Sequence, residues 1–219
     1  MGHYAELWAS DHPTVSPRGV FLENDAPYLI VKYRLPAVWL ALFDVDDVQV
    51  FSDLEEHDYL HVHLASPRLA ALERLARRTD WLRGRFPMLQ PAWLAQFQDW
   101  LAGLSEAYVH LDTNDIASMA MGHEEWAEEL PRVLRMFDEP AVTPAPPPVP
   151  PAPPGGLLGS VARWWRSAPP PAPAEPAPLT AWNRFDRQFG DASLEKSPAA
   201  WAFLGGNGSK RPVPWDSGD

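Results

Sequence analysis

The side chains best suited to chemistry in this chain lie close together. From Asp44 to Asp58, seven carboxylates fall within fifteen residues, with no Lys or Arg among them. Directly afterwards "DYLHVHLA" alternates and carries His61 and His63 two positions apart, while His110 and Asp112 end a second alternating stretch, "AYVHLD". On a strand, alternate side chains project to one side about 6.7 Å apart along the chain, so His61 and His63 can reach one ion. Together with His110 and Asp112 they form a His/Asp set that suits zinc or iron, and a metal-dependent hydrolase is one reading of the chain. The plainer reading places Tyr59, His61 and His63 on a half-exposed strand face, with Leu60, Val62 and Leu64 turned to the core.

Other fragments fail on inspection. His123, Glu124 and Glu128 sketch a zincin helix, but the second histidine would fall at 127, which is Ala127. "SLEK" (Ser193–Lys196) has the spacing of a serine acyl-transferase nucleophile without the companion S-D-N and K-T-G elements. In "GGNGSK" (Gly205–Lys210), Ser209 separates Gly208 from Lys210, so no P-loop forms and Asn207-Gly208 reads as a tight turn. Catalytic carboxylates need environments that drive their pKa values apart, and a solvated acidic run gives all its members much the same one. No catalytic residue and no cofactor is expected.

That leaves the run itself as a surface. Asp44, Asp46, Asp47, Asp53, Glu55, Glu56 and Asp58 occupy the link between a short helix and a strand. Complementary charge at such a place raises association rates by about 10–10³-fold. Residues 1–139 hold 23 acidic against 11 basic side chains, and the whole chain carries −11. Direct nucleic-acid binding runs through cationic groups, so an acidic body argues against it and for a basic protein partner. The 11 tryptophans supply the kind of side chain that dominates interface energetics. The chain has no cysteine, hence no disulfide or thiolate site. "MGHYAELWAS" shows no signal-peptide pattern and no apolar run reaches bilayer length, so a cytoplasmic location without a membrane span is expected.

The elements that must position these groups give an α+β pattern: a small sheet of about three to four strands packed with several helices. "HYAELWA", "PYLIVKYRL", "DYLHVHLA" and "AYVHL" read as strands. "PAVWLALF" reads as a short buried helix opened by Pro36. Ser66-Pro67 starts a helix with Leu69, Leu72, Leu75, Ala76 and Leu82 as its core stripe, and Pro91 starts another, with Leu94, Phe97, Leu101 and Leu104 inward. Asp112 in "DTND" is an N-cap, and "GHEEWAEELPRVLRMF" is an amphipathic helix that Pro131 should kink or split. Residues 1–139 form the acidic body. Residues 140–178 form a proline-rich linker, carrying a short apolar helix at 157–167. Residues 179–219 form an aromatic-rich tail expected to pack back on the body. An adaptor that presents "LLGSVARWWRS" from this linker to a groove or membrane surface is a further alternative.

The segments "HYAELWAS", "LPAVWLALF" (Leu35–Phe43), "YVHLDTNDI" (Tyr108–Ile116) and "GGNGSKRPVPW" (Gly205–Trp215) resemble a group of small bacterial cytoplasmic proteins. Some of these are encoded beside polymorphic or Rhs-type toxins and are taken as their immunity partners. The resemblance covers most of 1–139 and the last dozen residues, and the insert at 140–178 departs from it. It implies no enzyme but an inhibitor that occludes the active site of a cognate toxin, a basic protein acting on nucleic acid or nucleotides.

Overall fold

The computed structural model describes residues 3–14, 27–52, 60–138, 200–208 and 213–215. In chain order they form β1 (Tyr4–Ser10), β2 (Tyr28–Lys32), α1 (Ala37–Leu40), a 3-10 turn (Val45–Asp47), β3 (Val48–Ser52) and β4 (Leu60–Pro67). There follow α2 (Arg68–Arg85), α3 (Pro91–Ala102), β5 (Tyr108–Asp112), α4 (Asn114–Ala120), α5 (His123–Met136), α6 (Ala200–Leu204) and the two-residue β6 (Gly206–Asn207). The strands make one antiparallel sheet in the order β3-β4-β5-β1-β2-β6.

The fold is mixed α and β, with more strands than the three to four expected. All four strands anticipated from the sequence are present, and β3 is the substantial addition. "VQVFS" sits among carboxylates, and five residues between acidic flanks look like part of a loop until a neighbouring strand pairs with them.

Side-chain alternation gives the sheet two unlike faces. Ala5, Leu7 and Ala9 of β1, Leu29 and Val31 of β2, Val62 and Leu64 of β4, and Val109 and Leu111 of β5 join one apolar core with the helices. The opposite face carries Glu6, Trp8, Gln49, Phe51, His61, His63, Tyr108, His110 and Asp112, by the same registers.

The helices start close to where their signals stand. Pro36 and Pro67 are N-caps, one residue outside α1 and α2, and Pro91 occupies the first turn of α3. Such prolines lose nothing, because a helix's first N–H groups have no internal acceptor. In α2 the inward residues are Ala71, Leu75, Arg78 and Leu82, whereas Leu69 is 67% exposed and Ala76 also faces out. Leu75 and Leu82 are inward as expected and Leu72 is half-buried against the core, while Ala71 and Arg78 take the inward places expected of Leu69 and Ala76. α5 continues through Pro131 as one element, with Trp126, Leu130, Val133 and Leu134 buried.

Near the C-terminus, Phe203, Leu204, Val213 and Trp215 are buried against the body. Trp39 Nε1 donates to Leu204 O at 2.9 Å, and Trp215 Nε1 donates to Gly205 O at 2.8 Å. Trp215 also packs on Phe97 and Trp100 of α3. Gly205 has φ +84° and its backbone runs against the Trp39 ring, so a Cβ there would collide with Trp39. The proline-rich linker, the helix expected at 157–167, and Trp182, Phe185 and Phe189 of the tail lie outside the described residues. Among the described residues no helix is long and apolar enough to cross a membrane.

Candidate functional site

The described part of the acidic run is a single turn braced from behind. Asp44 caps it: Val45 N–H donates to Asp44 Oδ1 at 2.7 Å, and Asp44 N–H donates to Asp47 Oδ2 at 2.8 Å. This reciprocal arrangement satisfies backbone donors that the short turn cannot satisfy itself. Arg74 of α2 then reaches in. Its Nη1 donates to Asp47 Oδ2 at 2.8 Å, to Ser66 Oγ at 2.6 Å and to Leu42 O at 3.3 Å, and its Nε lies 3.8 Å from Asp44 Oδ2.

Asp47 is buried, and burial pushes its carboxyl above the ordinary range. The Asp44 amide, Arg74 and Ser66 pull it part of the way back. One turn further along α2, the buried Arg78 donates to Ala41 O and Phe43 O and grips Asp138 through Nε and Nη2, at 3.1 and 2.7 Å. The counter-charge missing from the acidic run is therefore supplied by α2.

The seven carboxylates divide accordingly. Asp47 faces inward and holds the turn together. Asp44 is half-buried with its oxygens engaged, and Asp46 is exposed. Asp53, Glu55, Glu56 and Asp58 lie outside the described residues. The turn touches α5, whose Glu124, Glu125 and Glu128 are exposed. Glu129 on the same helix is buried and paired with Arg132 at 3.2 Å. Negative charge thus comes outward from two adjoining elements, while Arg74 and Arg78 point in.

Strand pairing also brings the histidines together. His63 on β4 and His110 on β5 are buried, 2% and 0% exposed. Their rings lie 5.3 Å apart, and Trp8 of β1 covers both, 5.0 Å from His63 and stacked 5.4 Å from His110. His110 Nε2 lies 2.8 Å from His12 O. A carbonyl only accepts, so Nε2 carries the proton, and neutral His110 accepts at Nδ1 from His63 Nε2–H across 3.1 Å. Burial holds His63 well below its usual pKa, with His110 and His61 adding to the effect. Burial likewise brings His110 down to about 4, against the opposing bond to His12 O. Both rings are neutral at pH 7.

His61 is tied elsewhere. Asn114 Oδ1 accepts from Val62 N–H, so its amide nitrogen faces His61 Nδ1 and donates to it at 2.8 Å. Asp112, the last residue of β5, accepts at Oδ1 from Asn114 N–H, the first residue of α4, at 2.8 Å; Thr113, not Asp112, stands immediately before the helix. In register, Asp112 lies opposite both His63 and Glu6. Burial raises both carboxyls, Glu6 further through Asp112 and Asp115.

So His61, His63, His110 and Asp112 do share one sheet face. The ring nitrogens that a metal would need at His110, however, are engaged by His63 and the backbone. Among the described residues no group of three or more His, Asp or Glu side chains is arranged to hold a metal ion. Trp8, the histidine pair and His12 O tie residues 11–14 to the sheet.

Arg74, which braces the acidic turn, and the buried Arg78 are the residues of this corner that sequence reasoning missed. The signal for Arg78 was present, because it stands three residues after Leu75 and four before Leu82, in line with the buried stripe. Compared with known proteins, the chain matches no family model, no curated protein and no solved structure.

Proposed function

We propose that the protein is a non-catalytic inhibitor of the immunity type, acting in the bacterial cytoplasm by binding and occluding a basic cognate toxin. One observation carries this reading. The acidic turn has Arg74 behind it, so Asp46 is exposed on its outer side, and Glu124 and Glu128 of the adjoining α5 are exposed as well. A catalytic carboxylate would sit the other way, drawn inward with a perturbed pKa, as Asp47 is, but Asp47 is committed to Arg74 and to the turn. The net charge of −11 points the same way, towards a cationic protein surface. Buried aromatic contacts would then slow dissociation, as tight neutralisation requires: a Kd near 1 nM corresponds to about −12 kcal/mol.

The test is charge reversal against a toxin domain encoded in the adjacent reading frame. Asp46→Lys, Glu124→Lys and Glu128→Lys together should slow association at least about tenfold at low salt and leave the thermal unfolding curve in place. Unchanged association would show that this surface is not where the partner lands. Asp47 is kept out of the set because its loss would unfold the turn.

A further inference from the structure

We propose that the surface formed by α1, α3 and the outer side of β2 is a peptide-binding site whose ligand is the segment 200–215, taken from the same chain or from a second copy of it. This goes beyond the inhibitor reading and does not depend on it.

The segment meets the body as a bound peptide meets its receptor. Gly206 and Asn207 add a short antiparallel strand to β2, and Gly208 N–H donates to Tyr28 O at 3.0 Å. Trp39 Nε1 of α1 donates to Leu204 O at 2.9 Å. Two aromatic anchors flank this backbone pairing. Phe203 packs on Phe86 and Trp93, with ring centroids 6.5 and 5.9 Å away. Trp215 packs on Phe97 and Trp100, each 5.9 Å away. Strand addition supplies affinity and side-chain pockets supply specificity, the mode in which a sheet takes up an extended peptide. Buried aromatic anchors carry most of the energy of such contacts.

Two glycines make the site selective. Gly205, at φ +84°, passes against the Trp39 ring, and a Cβ at Gly208 would overlap the ring of Tyr28. At Gly206 a Cβ would meet only Ile30 O, at 3.8 Å, an ordinary contact. The ligand is therefore an aromatic-Leu-Gly-x-x-Gly peptide with a second aromatic anchor further on.

The sequence that fits is the chain's own, which makes a second copy the partner. The 61 residues 139–199 separate the segment from the end of the body, a length that reaches at most about 200 Å. Covalent linkage therefore does not fix which body the segment occupies, and every contact named above would be the same on a neighbouring copy. Charge favours either placement: the segment carries Lys210 and Arg211 and no carboxylate, while residues 1–139 hold 23 acidic against 11 basic side chains. Two copies exchanging segments form a closed pair.

The test uses the full chain carrying Leu204→Ala and Trp215→Ala, which weakens its own segment, and a fluorescent synthetic peptide of residues 200–215. Anisotropy should show saturable binding to this variant. Binding to the wild type should be at least about tenfold weaker, because its own segment competes at an effective concentration of about 1 mM. Peptides with Gly205→Ala or Gly208→Ala should bind at least about tenfold more weakly, and one with Gly206→Ala within about threefold. If the double variant does not fold, wild-type protein is cut at a protease site inserted after Pro178. The 179–219 fragment should then stay bound on gel filtration and be displaced by excess peptide. A body that unfolds on cutting, a peptide that binds neither protein, or equal binding of the Gly205→Ala peptide would each overturn the site. Sedimentation of the wild type up to about 1 mM should show a dimer that excess peptide dissolves. A monomer at every concentration would overturn exchange between copies.

Discussion

Replacing Arg78 by Met separates the forces that hold the acidic turn in place. The guanidinium is 1% exposed, whereas the side chain of its ion-pair partner Asp138 is 51% exposed. Half-exposed, the Asp138 pair is worth about 0–1 kcal/mol. The bonds to Ala41 O and Phe43 O are buried, and each carbonyl that loses its donor costs about 1–3 kcal/mol. Arg78→Met should therefore destabilise by about 2–6 kcal/mol, the cost of the two carbonyls that lose their donor. The long unbranched Met keeps most of the packing, so the loss reports the polar contacts. Asp138→Asn, which keeps the shape and removes the charge, should cost no more than about 1 kcal/mol. Urea unfolding followed by tryptophan fluorescence reads both. With a slope of about 2 kcal/mol/M, Arg78→Met lowers the midpoint by about 2 M and Asp138→Asn by less than about 0.5 M. A loss for Asp138→Asn as large as that for Arg78→Met would show that the ion pair, and not the carbonyl bonds, anchors this corner.

Other outcomes follow from the same geometry. His110 has a folded pKa of about 4 against 6.5 for the free side chain, so the unfolded chain takes up its proton first and stability falls as pH drops through that window. Between pH 7.5 and 5 the loss from His110 is about 2 kcal/mol, His63 adds to it with the same sign, and His110→Gln should flatten the dependence in urea titrations. Glu6 has the opposite sign: its raised pKa means that its charge costs stability at pH 7. Glu6→Gln should therefore raise the urea midpoint at neutral pH, with the gain shrinking as pH falls through the raised value. Gly205→Ala combines a positive φ with a collision against Trp39 and should cost at least about 2 kcal/mol, visible as a lower thermal midpoint.

Much of this architecture was legible in the sequence because its signals are local. The strands at Tyr4 and Leu60 alternate, those at Tyr28 and Tyr108 are short runs rich in apolar and β-branched residues, and Pro36, Pro67 and Pro91 mark helix starts within a residue. What was hidden depends on partners distant in sequence. β3 becomes a strand only through pairing with β4. Asp47 looks like its acidic neighbours until Arg74, 27 residues on, reaches it. His63 looks half-exposed until β5 and β1 bring His110 and Trp8 against it. The acidic surface was visible as composition, but composition does not say which carboxylates face in and which face out.

The most direct measurement is the association rate of the protein with the proposed toxin partner over a series of salt concentrations. The account predicts a rate that falls by about tenfold or more between roughly 20 and 500 mM salt, with the dissociation rate nearly constant. An association rate indifferent to salt would contradict it.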